Sequence, residues 1–146
     1  MAILQRWNAI SGGIRRLTDQ LLGDIDTQTG LAPSSFQVLW FLLNSPDRQA
    51  PMSKLSQTLG FSTAGTTKVA DRLAAAGLIE RHPSTADRRV IFAALTPSGR
   101  EVAHQAALAL AAALRRRVLV PLGQDQLTHL AELVNTLNPV PAADRH

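Results

Sequence analysis

Three observations predict a mainly α fold carrying one small β-hairpin, an α+β chain. Apolar residues recur at helical spacing over long stretches at both ends; two short capped helices stand in the middle; and only residues 78–95 read as paired strand-like runs about a polar turn. A length of 146 residues gives room for one domain with its own core, or for a small domain with extra helices that need a partner.

The first helix is read from Ile3, Trp7, Ile10, Ile14, Leu17 and Leu21, whose spacings of 4, 3, 4, 3 and 4 trace one stripe. Gly12 and Gly13 interrupt it and predict a bend or a close backbone approach. After Thr29-Gly30, Pro33-Ser34-Ser35 opens a second helix with Phe36, Leu39, Trp40 and Leu43 on one buried face, closed by Asn44-Ser45-Pro46. Residues 46–51 have loop composition, and Ser53 is placed to cap a helix through Leu55 and Leu59 that Gly60 ends. Ser62 caps the next helix, whose inward face is read as Val69, Leu73 and Ala76 and whose terminator is Gly77. Leu78 to Pro83 and Val90 to Leu95 then read as strands around the loop Ser84 to Arg88. Thr96 caps a long alanine-rich helix with Pro97 at its first position; Pro121-Leu122-Gly123 breaks it, a last helix runs from about Asp125 to Leu137, and the tail from Pro139 reads as loose.

Two short helices joined by a tight turn, followed by a hairpin, form a winged helix-turn-helix. It occupies residues 33–95 of the single domain 1–146, and residues 1–30 and 97–138 supply flanking helices. Stripes of large apolar side chains left in water would forgo many kcal/mol at about 25 cal/mol per Å², so the flanks are expected to form a homodimerisation lobe. The alternative is that they fold back on their own domain.

Composition narrows function more by exclusion than by signal. The net charge of +4 and pI of about 11.0 suit a polyanionic partner, and all but Lys54 and Lys68 of the 15 basic residues are arginine, a planar fork suited to phosphates and base edges. The chain has no cysteine, which excludes disulfides, zinc-thiolate sites and thiol redox sensing. No apolar run reaches the ~18 residues of a membrane span, so a cytoplasmic protein without a membrane partner is expected. His82, His104, His129 and His146 are scattered without metal-ligand spacing, and neither a phosphate loop nor paired carboxylates beside a histidine is present, so no metal, cofactor or enzymatic activity is expected.

The chemistry-bearing residues gather in the central segment. A recognition helix must approach the major groove closely, and the segment from Ser62 to Lys68, then Asp71-Arg72, offers hydroxyls, one amine and one guanidinium without bulk. Thr63, Thr67 and Lys68 are the foremost base-edge or phosphate contacts, with Ser53, Ser62 and Thr66 beside them; Arg72 is a phosphate clamp or a guanine reader. Arg88 and Arg89 at the hairpin tip match a device for placing an arginine in a narrow minor groove. Asp87 can hold an arginine fork by a bidentate ion pair, and Asp71 is within reach of the same arginine across the fold. Double-stranded DNA is therefore the expected partner; the other reading left open is a winged-helix module that dimerises and binds protein instead.

These residues resemble the multiple-antibiotic-resistance regulator (MarR) family. The resemblance rests on Met52-Ser53-Lys54-Leu55 through Leu59-Gly60-Phe61-Ser62, Asp71-Arg72-Leu73, Gly77-Leu78-Ile79-Glu80-Arg81, Asp87-Arg88-Arg89 and Leu95-Thr96-Pro97-Ser98-Gly99, aligned without a gap. It implies a homodimeric repressor on a pseudo-palindromic operator, with Arg89 in the minor groove, Asp87 or Asp71 orienting it, and Arg88 on phosphate. Where the family often has Thr-Val-Thr-Arg, this chain has Gly65-Thr66-Thr67-Lys68, so base preference does not carry over. The resemblance also implies release of DNA on binding a small aromatic or anionic effector, for which Trp7, Arg15, Phe36, Trp40 and His104 are the candidate pocket residues, with Arg16 nearby; on their apolar helix faces Trp7, Phe36 and Trp40 suit plain core better than pocket lining.

Overall fold

The computed structural model describes residues 1–139; the expected loose tail beyond Pro139, and His146 with it, lie outside the described residues. Seven helices and a three-stranded sheet follow in the order α1 (Ala2–Thr29), α2 (Pro33–Leu43), a 3-10 turn (Pro46–Arg48), β1 (Gln49–Pro51), α3 (Met52–Leu59), α4 (Thr63–Ala75), β2 (Ile79–Pro83), β3 (Ile91–Leu95), α5 (Pro97–Leu114), a π turn (Arg115–Leu119), α6 (Val120–Leu122) and α7 (Gln124–Leu137). The sheet order is β1-β3-β2, antiparallel throughout. Among the described residues no helix is long and apolar enough to cross a membrane.

The chain divides into two compact units after Leu110, within α5. In the first, Val38, Leu39 and Leu42 of α2, Leu55 of α3, Val69, Ala70 and Leu73 of α4 and Ile79, Ala93 and Leu95 of the sheet make one buried cluster that Ala103 of α5 joins. A second, smaller cluster packs Ile25 of α1 against Phe36 of α2 and Ala106 of α5. The helix-turn-helix is thus held from below by α2 and the sheet, which leaves the opposite faces of α3 and α4 in solvent.

Several local predictions are met with identifiable chemistry. Ser62 accepts a hydrogen bond from the Gly65 N–H at 3.0 Å, capping α4. Gly77, at φ 71°, ends that helix with paired reverse bonds, Leu78 N–H to the Leu73 carbonyl at 2.9 Å and Gly77 N–H to the Ala74 carbonyl at 2.9 Å. Thr96 caps α5 by accepting from the Gly99 N–H at 2.9 Å and donates to the Gly77 carbonyl at 2.7 Å. Gly99 is obligatory here, since a β-carbon would stand 1.8 Å from the Leu78 carbonyl oxygen.

Other expectations are corrected. Gln49–Pro51, read as loop, is a third strand that pairs Gln49 with Ala94 and Pro51 with Phe92. Ser53 does not cap α3: the cap position is two residues earlier, at Pro51, the helix starts at Met52, and no side chain caps it. Ala70 takes the inward place read for Ala76, which is the exposed C-cap. Gly12-Gly13 do not interrupt α1, which runs as one helix; a β-carbon on Gly13 would meet nothing within 4 Å and one on Gly12 only the Arg16 guanidinium at 3.3 Å, so neither marks a close backbone approach. The first four residues of the α1 stripe, Ile3, Trp7, Ile10 and Ile14, are all more than half exposed, and Trp40 is also at the surface rather than in the buried face with Phe36.

The second unit comprises the end of α5, the π turn, α6 and α7. The π turn lies just ahead of Pro121, which has no N–H to donate and whose ring would crowd the carbonyl one turn back in a regular helix. On α7, Leu130, Leu133, Val134 and Leu137 are between 44% and 77% exposed, an apolar surface left open among the described residues.

Candidate nucleic-acid interface

Two elements carry the exposed donors. Along α4, Thr63, Thr67, Lys68 and Arg72 are all exposed, while Val69, Ala70 and Leu73 bury the opposite face. Thr67 donates to the Thr63 carbonyl at 3.0 Å, which fixes its hydroxyl against the helix and leaves oxygen lone pairs facing outward. Ser53 on α3 and Ser62 at the cap are also exposed. Thr66 is not: it is 2% exposed, its hydroxyl donates to the Ser62 carbonyl at 3.0 Å and accepts from Ser56 at 2.7 Å. The expected contact from Thr66 is therefore withdrawn, because its side chain faces α3 and not the groove side.

The wing is a polar construction. Ser84 N–H donates to the Val90 carbonyl at 2.8 Å and Val90 N–H returns a bond to the Asp87 carbonyl at 3.0 Å, which sets Arg88 and Arg89 at the centre of the closing turn. Asp87 Oδ1 accepts from the Arg89 backbone N–H at 3.0 Å and from Arg89 Nε at 3.1 Å, and Oδ2 accepts from Nη2 at 3.1 Å. This is the bidentate fork expected of Asp87, closed within the turn itself. The side-chain bond and then the backbone bond from Arg89 hold the Asp87 carboxyl below the usual aspartate range, against a small opposing effect of burial. Arg89 remains 91% exposed, so three of its five N–H donors are turned to solvent.

Asp71 does something other than expected. It pairs with Arg81 of β2 at 2.6 Å, not with an arginine of the wing tip, and so ties α4 to the base of the wing. Arg81 gave no sequence signal as a partner, because the match depends on how β2 crosses the end of α4. His82 was also missed: it stacks on Phe92 at 5.9 Å, its direct cross-strand neighbour, and its Nε2 lies 3.1 Å from Gln49 Oε1 on β1. The recurrence of aromatic residues at facing strand positions was the available clue.

The candidate effector residues are differently placed. Phe36 is buried and its ring stacks with that of Trp40 at 6.2 Å, while Trp40 is 39% exposed. Trp7 and Arg15 stand exposed on α1 and His104 stands exposed on α5.

A helix-turn-helix whose second helix presents small polar and cationic side chains, followed by an antiparallel wing with an arginine at its tip, defines a winged-helix transcriptional regulator. Comparison with known proteins gives the family. The family model described as MarR family matches residues 29–90. The uncharacterized HTH-type transcriptional regulator YhbI of Bacillus subtilis (strain 168) is 32% identical over 110 residues, 73% of this chain and 71% of that protein. AbsC, a MarR family transcriptional regulator from Streptomyces coelicolor, is 28% identical, with 92% of this chain and 90% of that one covered and a TM-score of 0.78. Sco3205 of the same organism, a MarR family regulator crystallised in complex with DNA, shares the fold at 24% identity, covering 95% and 93% of the two chains with a TM-score of 0.76. The chain belongs to the MarR family and is a transcriptional regulator.

Proposed function

We propose that the protein binds double-stranded DNA in the cytoplasm as a homodimer and represses transcription from a pseudo-palindromic operator, releasing the DNA when a small aromatic or anionic effector binds. The recognition helix α4 enters the major groove with Thr63, Thr67 and Lys68, Arg72 and Arg88 meet phosphates, and Arg89 enters the minor groove. Ser53 and Ser62 add contacts at the helix starts.

The observation that carries this reading is the Asp87–Arg89 pair. An arginine at an exposed tip would ordinarily lose rotamer freedom on binding, a cost of up to about 2 kcal/mol that a fork already held by its neighbour avoids in part. The bidentate bond at 3.1 Å spends two donors on orientation and leaves three for a base edge or a phosphate. That Sco3205, a protein of the same fold, was crystallised in complex with DNA supports DNA as the partner. The exposed apolar residues of α1 and of α7 support the dimer, since each surface needs cover that a second copy can supply. An effector of aromatic character is supported by the Phe36–Trp40 stack, whose outer ring is partly open to solvent.

Footprinting on the DNA upstream of the protein's own gene tests the reading. Protection of two related half-sites about one helical turn apart, lost steeply as salt rises, is the expected result. Light scattering at twice the 15.7 kDa chain mass is expected for the free protein.

A further inference from the structure

Between α3 and α4 the described residues include a chain of hydroxyls. Ser56 Oγ donates to Thr66 Oγ1 at 2.7 Å, and Thr66 Oγ1 donates to the Ser62 carbonyl at 3.0 Å. Ser62 is the cap of α4, and its own Oγ accepts from the Gly65 N–H at 3.0 Å. A β-carbon on Gly65 would stand 3.0 Å from that same Oγ, so glycine there leaves the cap undisturbed. Thr66 is 2% exposed, one turn below the exposed Thr63 and beside Thr67.

The energetics of this corner are unusual. Without the Thr66 hydroxyl, the Ser62 carbonyl would still accept the Thr66 backbone N–H at 2.8 Å, and Ser56 Oγ could turn to the Met52 carbonyl at 3.3 Å. No buried polar group would be orphaned, so stability gains little from the chain of hydroxyls. What would vanish is the direct polar tie between the middle of α3 and the first turn of α4. Apolar contacts beneath the two helices resist their separation but are non-directional; a hydrogen bond fixes rotation and sliding of one helix on the other.

We propose that Ser56 and Thr66 are positioning residues for DNA reading: the Ser56–Thr66–Ser62 hydroxyl chain sets the rotation of the recognition helix and so the aim of Thr63 and Thr67. This rests on the DNA-binding reading above. The tie affects discrimination between sequences, which depends on sub-ångström placement of hydroxyls at base edges, far more than it affects phosphate contacts made by long flexible side chains.

The test compares affinity for the duplex upstream of the protein's own gene with affinity for a scrambled duplex of equal length and composition. Thr66→Val keeps the shape and removes the hydroxyl; Thr66→Ser keeps the hydroxyl and removes the methyl. Thr66→Val and Ser56→Ala are each expected to lower the upstream-to-scrambled ratio by roughly three- to tenfold, with melting temperature and scrambled-duplex affinity unchanged. Thr66→Ser is expected to keep the wild-type ratio, and the Thr66→Val, Ser56→Ala double variant to be no worse than either single one. A ratio kept by Thr66→Val but lost in Thr66→Ser would overturn the proposal in favour of packing alone, as would a ratio untouched in every variant. A wild-type protein with no preference for the upstream duplex would overturn the DNA-binding reading and this proposal together, before any variant is compared.

Discussion

The recognition helix and the wing are held by opposite means. Under α4, Val69, Ala70 and Leu73 are each less than a tenth exposed and pack into the main core, so its position rests on buried apolar surface. At the wing tip the turn is closed by backbone bonds and by one exposed carboxylate gripping one exposed guanidinium. Burial responds little to pH or to modest changes of ionic strength, whereas exposed pairs are screened and titrate. The helix is therefore firmly set and the wing softly set, which on the proposed DNA-binding function suits an element that must find a groove of variable width.

The junction of the two is the place where both can be broken at once. Thr96 N–H donates to the Leu78 carbonyl at 3.1 Å while its hydroxyl holds the Gly77 carbonyl, and Gly99 touches the same loop. Gly99→Ala is expected to cost more than about 4 kcal/mol, because backbone and not a flexible side chain stands in the way. A thermal melt of the variant checks this; an unchanged midpoint would mean that α5 can withdraw without loss. Leu73→Ala should come next, at about 2–5 kcal/mol, with the loss the same at low and high salt in chemical denaturation. Salt dependence of that loss would break the contrast between helix and wing.

Asp71→Asn removes the tie from α4 to β2 and is expected to cost less than about 1 kcal/mol, given that both partners are partly exposed. The smallest effect belongs to Asp87. Its carboxyl is held below the ordinary aspartate range, so the stabilisation it lends the turn is present above that range and is lost as pH falls through the lowered value. An NMR titration should find its midpoint depressed in the wild type and restored towards the ordinary value in Arg89→Ala, with no change in wing geometry between pH 5 and 8.

Much of this contrast was legible in the residues themselves. Ser62, Gly77, Thr96 and the turn at Asp87 act on their near neighbours in sequence, and local chemistry of that kind reads directly from spacing. The parts that escaped depend on distant pairing. β1 is three residues long in a proline-containing segment, and exists because β3, some forty positions on, offers it hydrogen bonds. Asp71 could be seen to want an arginine but not which one, since Arg81 reaches it only once β2 is laid against α4. Thr66 looked like surface because threonine usually is; only the helix phase beside Ser56 turns it inward. The apolar stripe on α1 is legible in its spacing, but not what covers it: among the described residues Ile3, Trp7, Ile10 and Ile14 stay more than half exposed.

The central claim is that Arg89, set by Asp87, reads DNA together with α4. The most direct measurement is the equilibrium affinity of wild type and Arg89→Ala for the duplex upstream of the protein's own gene, across a salt series. A loss of roughly tenfold or more, with an unchanged melting temperature and a shallower salt slope, is the predicted result. Equal affinity and equal slope for the two proteins would contradict it.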